Sequence, residues 1–133
     1  MTQWNSYVGI AQRDHGREMS GADCWGLACL VYAHELGIEL PDYAGVHPSD
    51  IERRDIDQIM ESEAAANRWL GVDQARSFDL LLFRMGPYRC HVGIAIDARR
   101  MLHVHSDHSK IIPQSDPAWA KRLIGIYRHE GLQ

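Results

Sequence analysis

Three cysteines and eight histidines are the reactive groups of this chain. A thiol attacks a carbonyl carbon only as thiolate. An isolated cysteine has a pKa near ~8.5, and a helix N-terminus or a neighbouring imidazolium lowers it. Cys24 follows Asp23, a good N-cap residue, and heads the helix-forming run Cys24 to Leu36. It therefore sits on the first turn of a predicted helix. There the partial positive charge of the helix end favours the anion, and first-turn N–H groups can hold a developing oxyanion. Cys29 lies more than a turn further on and gains little of either effect. Cys29 and Cys90 read as small buried hydrophobes.

The base must come from another part of the chain. His91 opens His91-Val92-Gly93-Ile94-Ala95-Ile96, a run of strand length that can fix an imidazole at the sheet rim. A third polar group should then hold that ring in its useful tautomer. The next strand-like run, Met101 to His105, offers two histidines. His103 and His105 are two residues apart and share a face, so the residues alone leave both open. A metal site is the rival reading, because Cys90, His91, His103, His105, Asp107 and His108 are rich in zinc-ligand types. The chain has no C-x-x-C pair and no H-E-x-x-H, and no metal or other cofactor is expected.

These groups need elements to position them. The Cys24 helix is apolar on most sides, the mark of a central buried helix, and Gly37 marks its end. A second helix is predicted over roughly 50–69, with Glu52, Arg53, Arg54, Asp57 and Glu61 on its solvated side. Before the cysteine, residues 1–22 read as loop with a short extended piece around Tyr7 to Ile10. After Gly71 the period shortens. Strands are predicted at 79–84, 91–96, 101–105, 110–112 and 123–128, with one helical turn at 117–121. Helices first and strands later predict an α+β domain, an antiparallel meander packed on the nucleophile helix.

The chain has 133 residues, the size of one domain, and is 45% hydrophobic. Its formal charge of −4 argues against a nucleic-acid binder. No apolar run reaches the ~20 residues of a membrane helix, so no membrane insertion is expected. The first residues lack the charged start and apolar stretch of a signal peptide. Folding in a cytoplasm, as a single domain over 1–133, is the expectation.

Four segments together resemble the NlpC-type cell-wall peptidases, which are papain-like. Gly21-Ala22-Asp23-Cys24-Trp25-Gly26-Leu27 is similar to their D-C-[SW]-G-L nucleophile motif. Ser77-Phe78-Asp79-Leu80-Leu81-Leu82-Phe83 resembles their GDLVFF strand, with Phe78 where glycine is usual. Cys90 to Ile96 resembles the SHVGIYLG strand that carries the base, and Met101 to Val104 the strand that carries the orienting residue. Within the family, Glu35 to Tyr43 and Ile124 to Arg128 look like pieces of phage tail assembly proteins of the K type.

The resemblance implies a papain-like α+β fold and hydrolysis of a peptide bond in the peptidoglycan stem, commonly that between D-glutamate and a diamino acid. It implies Cys24 as nucleophile, His91 as base and His103 as orienting residue, with the Cys24 N–H as oxyanion donor. Asp23 supports the site as a cap. Many members carry a tyrosine upstream of the nucleophile. Here Gln12 stands at that place and offers a carboxamide instead. Trp25, Arg13 and His105 are candidates for substrate contact. A tail-tip location, with other tail-tip proteins as partners, is the implied setting. A structural tail component without catalysis, and an amidase or acyltransferase on the same scaffold, are the alternatives.

Overall fold

The computed structural model describes residues 2–14, 16–40, 68–85 and 88–132, with backbone alone at 88–90. The chain opens with a 3₁₀ turn at Trp4–Tyr7 rather than extending through Tyr7. Tyr7 is buried there, and its hydroxyl donates to the Glu35 carboxylate at 2.5 Å. A short hairpin follows, in which β1 (Arg17–Glu18) pairs with β2 (Gly21–Ala22).

Helix α1 spans Cys24–Val31. The buried Asp23 carboxylate caps it, accepting from the Gly26 N–H at 2.7 Å and from Arg17 Nη1 at 2.8 Å. Gly26 is required by packing. A Cβ there would lie 1.9 Å from the carbonyl oxygen of Gly16. The helix widens into a π turn over Tyr32–Leu36 and stops at Gly37, whose φ of +64° is left-handed. Ile38 then folds back, its N–H donating to the Tyr32 carbonyl at 3.1 Å. This is the start and stop expected from Asp23 and Gly37.

The second predicted helix lies outside the described residues except at its end, and there the expectation fails. Trp69 begins a strand, β3 (Trp69–Val72). It pairs with His129, and its ring meets the His129 ring edge-on at 4.8 Å and lies 5.9 Å from that of Tyr32. Pairing partners distant in sequence override the local helical pattern.

Five further strands follow the expected order: β4 (Leu80–Met85), β5 (Tyr88–Ala95), β6 (Arg100–His105), β7 (His108–Pro113) and β8 (Leu123–His129). A single turn, α2 (Pro117–Ala120), precedes β8. Together with β3 they form one antiparallel sheet in the order β3-β8-β4-β5-β6-β7. The architecture is α+β, with the cysteine-bearing helix on an antiparallel sheet, as expected.

Alternation along the strands divides the core. Leu80, Leu82, Val92, Ile94, Leu102 and Val104 pack with Trp25, Leu27, Ala28 and Val31 of α1. Leu81, Phe83, Ala95 and Met101 turn to the other face, where they meet Trp119 of α2. The residue pattern alternates strictly because neighbouring side chains on a strand point to opposite faces.

Candidate active site

Cys24 occupies the first position of α1, is half-buried, and packs at the edge of the larger core cluster. Its helix packs against both β5 and β6, the strands that carry the histidines. The capping carboxylate of Asp23 would oppose a neighbouring thiolate if it stood alone. The Arg17 guanidinium at 2.8 Å compensates its charge.

His91 and His103 come together. Nε2 of His91 and Nδ1 of His103 are 2.9 Å apart, a hydrogen bond between two imidazoles that are only 4% and 5% exposed. One ring must donate and the other accept, so the two facing nitrogens do not both carry a proton. Between two neutral groups such a bond contributes about 1 kcal/mol net, and leaving one member buried without a partner costs more.

Local strand geometry explains the meeting. In simple register His91 would face His105 rather than His103. However, β5 and β6 are paired only at Ile94↔Leu102 and Ala95↔Met101. From Gly93 back to His91 the two strands part, while β5 stays on β4 and β6 stays on β7. The sheet is therefore split at the level of the histidines, and the diagonal pair His91 and His103 closes across the split.

Trp119 holds the cluster. Its ring stacks on His91 with centroids 4.4 Å apart and planes 26° from parallel. It meets His103 and His105 nearly edge-on, both at 5.1 Å. The Phe83 ring supports His91 from another side at 5.8 Å. From sequence, 117–121 reads only as a helical turn, with no role for Trp119. The available signal was Asp116-Pro117, a cap followed by proline at the first helical position, which fixes a short turn rigidly enough to carry a packed ring.

The electrostatics follow from burial. Burial pushes His91 well below the ordinary imidazole value, and His103, His105 and Arg122 push it the same way. Burial is also the largest cause for His103, lowered to about 4, with His105 and Lys110 adding to the shift and Asp116 opposing it. His105 is more exposed, and burial, Arg122 and Lys110 lower it too. The pair is thus neutral at neutral pH, with a hydrogen-bond direction that can be fixed rather than a shared charge.

The remaining candidates separate. Trp25 is 1% exposed in the core beneath the sheet, so it is a packing residue and cannot contact substrate. At its place on α1 the side chain faces the strands, and its size fills the layer between them. Gln12 is partly buried and forms a β-bridge with Ala22. Its N–H donates to the Asp107 carbonyl at 2.9 Å, and its carboxamide donates to Asp14 at 3.3 Å rather than to a histidine. It ties the loop before β1 to the β6–β7 turn. Arg13 is exposed beside Gly21. His105 lies at the strand end with its ring 5.7 Å from His91. Among the described residues no three His, Cys, Asp or Glu side chains are grouped so as to hold a metal ion. His108 instead pairs with Asp107 at 3.2 Å.

Known proteins share this arrangement of sequence and fold. The chain is 29% identical over 123 residues to the murein DD-endopeptidase MepS/murein LD-carboxypeptidase of Escherichia coli strain K12 and to its counterpart in strain O157:H7. The match covers 92% of this chain and 57% of each relative, so the chain spans just over half the length of these relatives. The crystal structure of the NlpC/p60 domain of the peptidoglycan hydrolase SagA has the same fold. Its TM-score is 0.64 at 21% identity, over 93% of this chain and 91% of that one. The model of the NlpC/P60 family matches residues 12–128, nearly the whole chain, and the chain belongs to the NlpC/P60 family.

Proposed function

We propose that the protein is a cysteine peptidase that hydrolyses peptide bonds of the peptidoglycan stem, with Cys24, His91 and His103 as its catalytic set. The observation that carries this reading is the buried His91–His103 hydrogen bond on the two strands that support the Cys24 helix. Buried titratable groups shifted together by burial and by one another are the kind of cluster that marks a functional site. The MepS relatives are named as murein peptidases, which supports the choice of substrate.

The bond assigns the nitrogens. Nε2 of His91 is engaged with His103, so Nδ1 is the atom that serves Cys24. A basic Nδ1 requires the proton on Nε2, which donates to Nδ1 of His103. His103, lowered to about 4, stays neutral and remains an acceptor. In the reaction Cys24 gives its proton to Nδ1, and the sulfur attacks the peptide carbonyl through the split between β5 and β6. The first-turn N–H groups of α1 stabilise the oxyanion. The tetrahedral intermediate collapses, and Nδ1–H protonates the leaving amine. Water, deprotonated by Nδ1, then cleaves the thioester and restores the thiol. Burial disfavours an imidazolium on His91, so the resting pair is a neutral thiol and a neutral imidazole, and the proton moves when substrate enters.

Chelation and alkylation distinguish this chemistry from a metal-dependent one. Iodoacetamide should abolish cleavage of peptidoglycan fragments in step with labelling of Cys24, while excess chelator leaves the rate unchanged. Loss to chelator with Cys24 fully labelled and active would sink the proposal. The finer specificity proposed is the D-glutamyl–diamino acid bond, read from product masses.

The proposed setting is a phage or prophage tail tip, supported by the resemblance of Glu35 to Tyr43 and Ile124 to Arg128 to K-type tail proteins. Detection of the chain in purified tail particles checks this. Its absence there would remove the setting and leave the chemistry untouched.

A further inference from the structure

Next to the histidine cluster the surface is strongly cationic. A groove of about 450 Å³ is lined by Arg84, Lys121, Arg122, Leu123 and Ile124. Among the described residues it holds three cations and no acid. Arg84 lies near the end of β4, and Lys121 and Arg122 follow α2. The two walls are tied by the backbone, the Arg84 N–H donating to the Arg122 carbonyl at 2.9 Å. None of the three cations forms an ion pair among the described residues, although Asp97, Asp107, Asp79 and Asp23 all do. Like charges gathered without a counterion repel one another, and a bound anion relieves that repulsion.

The groove adjoins the proposed reaction centre. The Arg122 guanidinium carbon is 5.5 Å from the centre of the Trp119 ring, the same ring that stacks on His91 at 4.4 Å. Arg122 is also held by Met85, its Nη1 lying 3.7 Å from Sδ. A substrate lying across Trp119 would therefore reach from His91 into the groove.

We propose that this groove is a carboxylate subsite, in which Arg84, Lys121 and Arg122 bind a free carboxylate of the peptide beside the bond that is cut. The assignment rests on the peptidase reading and deepens it. Guanidinium groups suit a carboxylate because two parallel N–H groups match its two oxygens. Arg122 touches Trp119 and so acts on the histidines as well. Arg84 and Lys121 are exposed.

The test uses two stem peptides of one sequence, with the carboxylates flanking the cleaved bond either free or amidated. Each is offered to wild type and to the Arg84→Gln/Lys121→Gln double variant. Wild type should favour the free acid by about tenfold or more in kcat/KM, chiefly through KM. The double variant should lose most of that preference, through a raised KM for the free acid. Raising salt should erode the preference of wild type. Equal cleavage of both peptides by wild type, or an undiminished preference in the double variant, overturns the subsite and leaves the peptidase reading standing. Cleavage of neither peptide by wild type removes the peptidase reading and the subsite with it.

Discussion

Replacing His103 by glutamine should make stability at low pH less sensitive to acid. The His103 imidazole is 5% exposed and lowered from 6.5 to about 4. A folded-state value below the unfolded one means that the unfolded chain takes up the proton first as pH falls. The stabilisation is therefore complete above about 6.5 and is lost as pH falls toward 4. At about 1.4 kcal/mol per pH unit, that interval is worth on the order of 3 kcal/mol, most of it spent by pH 4.5. Glutamine keeps an acceptor within reach of His91 Nε2 but does not titrate. Urea unfolding at pH 7.5 and pH 4.5 measures the stability of both proteins. Carboxylates titrate in both, so the difference between the proteins reports His103 together with the part of the His91 shift that His103 causes. Wild type should lose roughly 2–3 kcal/mol more than His103→Gln between the two pH values. An equal loss in both would refute the reasoning, because it would mean that His103 is as easily protonated in the fold as out of it.

Three further outcomes are expected. Phe78→Gly exchanges two effects: it relieves a φ of +77° and removes ring contacts with Trp4 at 5.1 Å and Tyr32 at 6.5 Å. Each is worth about 1–2 kcal/mol, so thermal denaturation should show a net change below about 1.5 kcal/mol, whereas Phe78→Val, which keeps the strain and loses the rings, should cost more. Gly26→Ala places a methyl 1.9 Å from the Gly16 backbone and should destabilise by about 3 kcal/mol or more, read as a fall in urea midpoint. Trp119→Leu uncovers His91, so NMR titration should find the His91 value moving up toward that of an exposed imidazole, and unfolding should show a loss of about 2–4 kcal/mol. An unmoved His91 titration would show that the ring does not shield it.

Much of this arrangement is written in local sequence. Asp23 and Gly37 bracket the Cys24 helix because capping and left-handed termination depend on one residue each. The strands β4 to β6 show as apolar runs because their two faces are both covered, by α1 and by the Trp119 layer. The glycine usual at position 78 is explained by the backbone: Phe78 holds a positive φ there, and the Tyr32 hydroxyl donates to its carbonyl. What local pattern does not carry is contact between distant segments. Trp69 follows a helix-like stretch but belongs to a strand because His129 lies opposite. The choice of His103 over His105 as the partner of His91 depends on the parting of β5 from β6, which no spacing in the chain announces. Trp25 reads as a possible cleft wall from its motif and is a core residue because its face of α1 turns to the sheet. The imidazole partners of Trp119 are all distant from it in sequence, and those three contacts exist only in the fold.

The central claim is that Cys24 attacks stem-peptide bonds with His91 as its base. Digestion of purified peptidoglycan by wild type, Cys24→Ala and His91→Ala, with products identified by mass, tests it most directly. Wild type should release cleaved stem peptides, and both variants should release none while unfolding at a midpoint close to that of wild type. Cleavage by Cys24→Ala at the wild-type rate, or no cleavage by any of the three folded proteins, would contradict it.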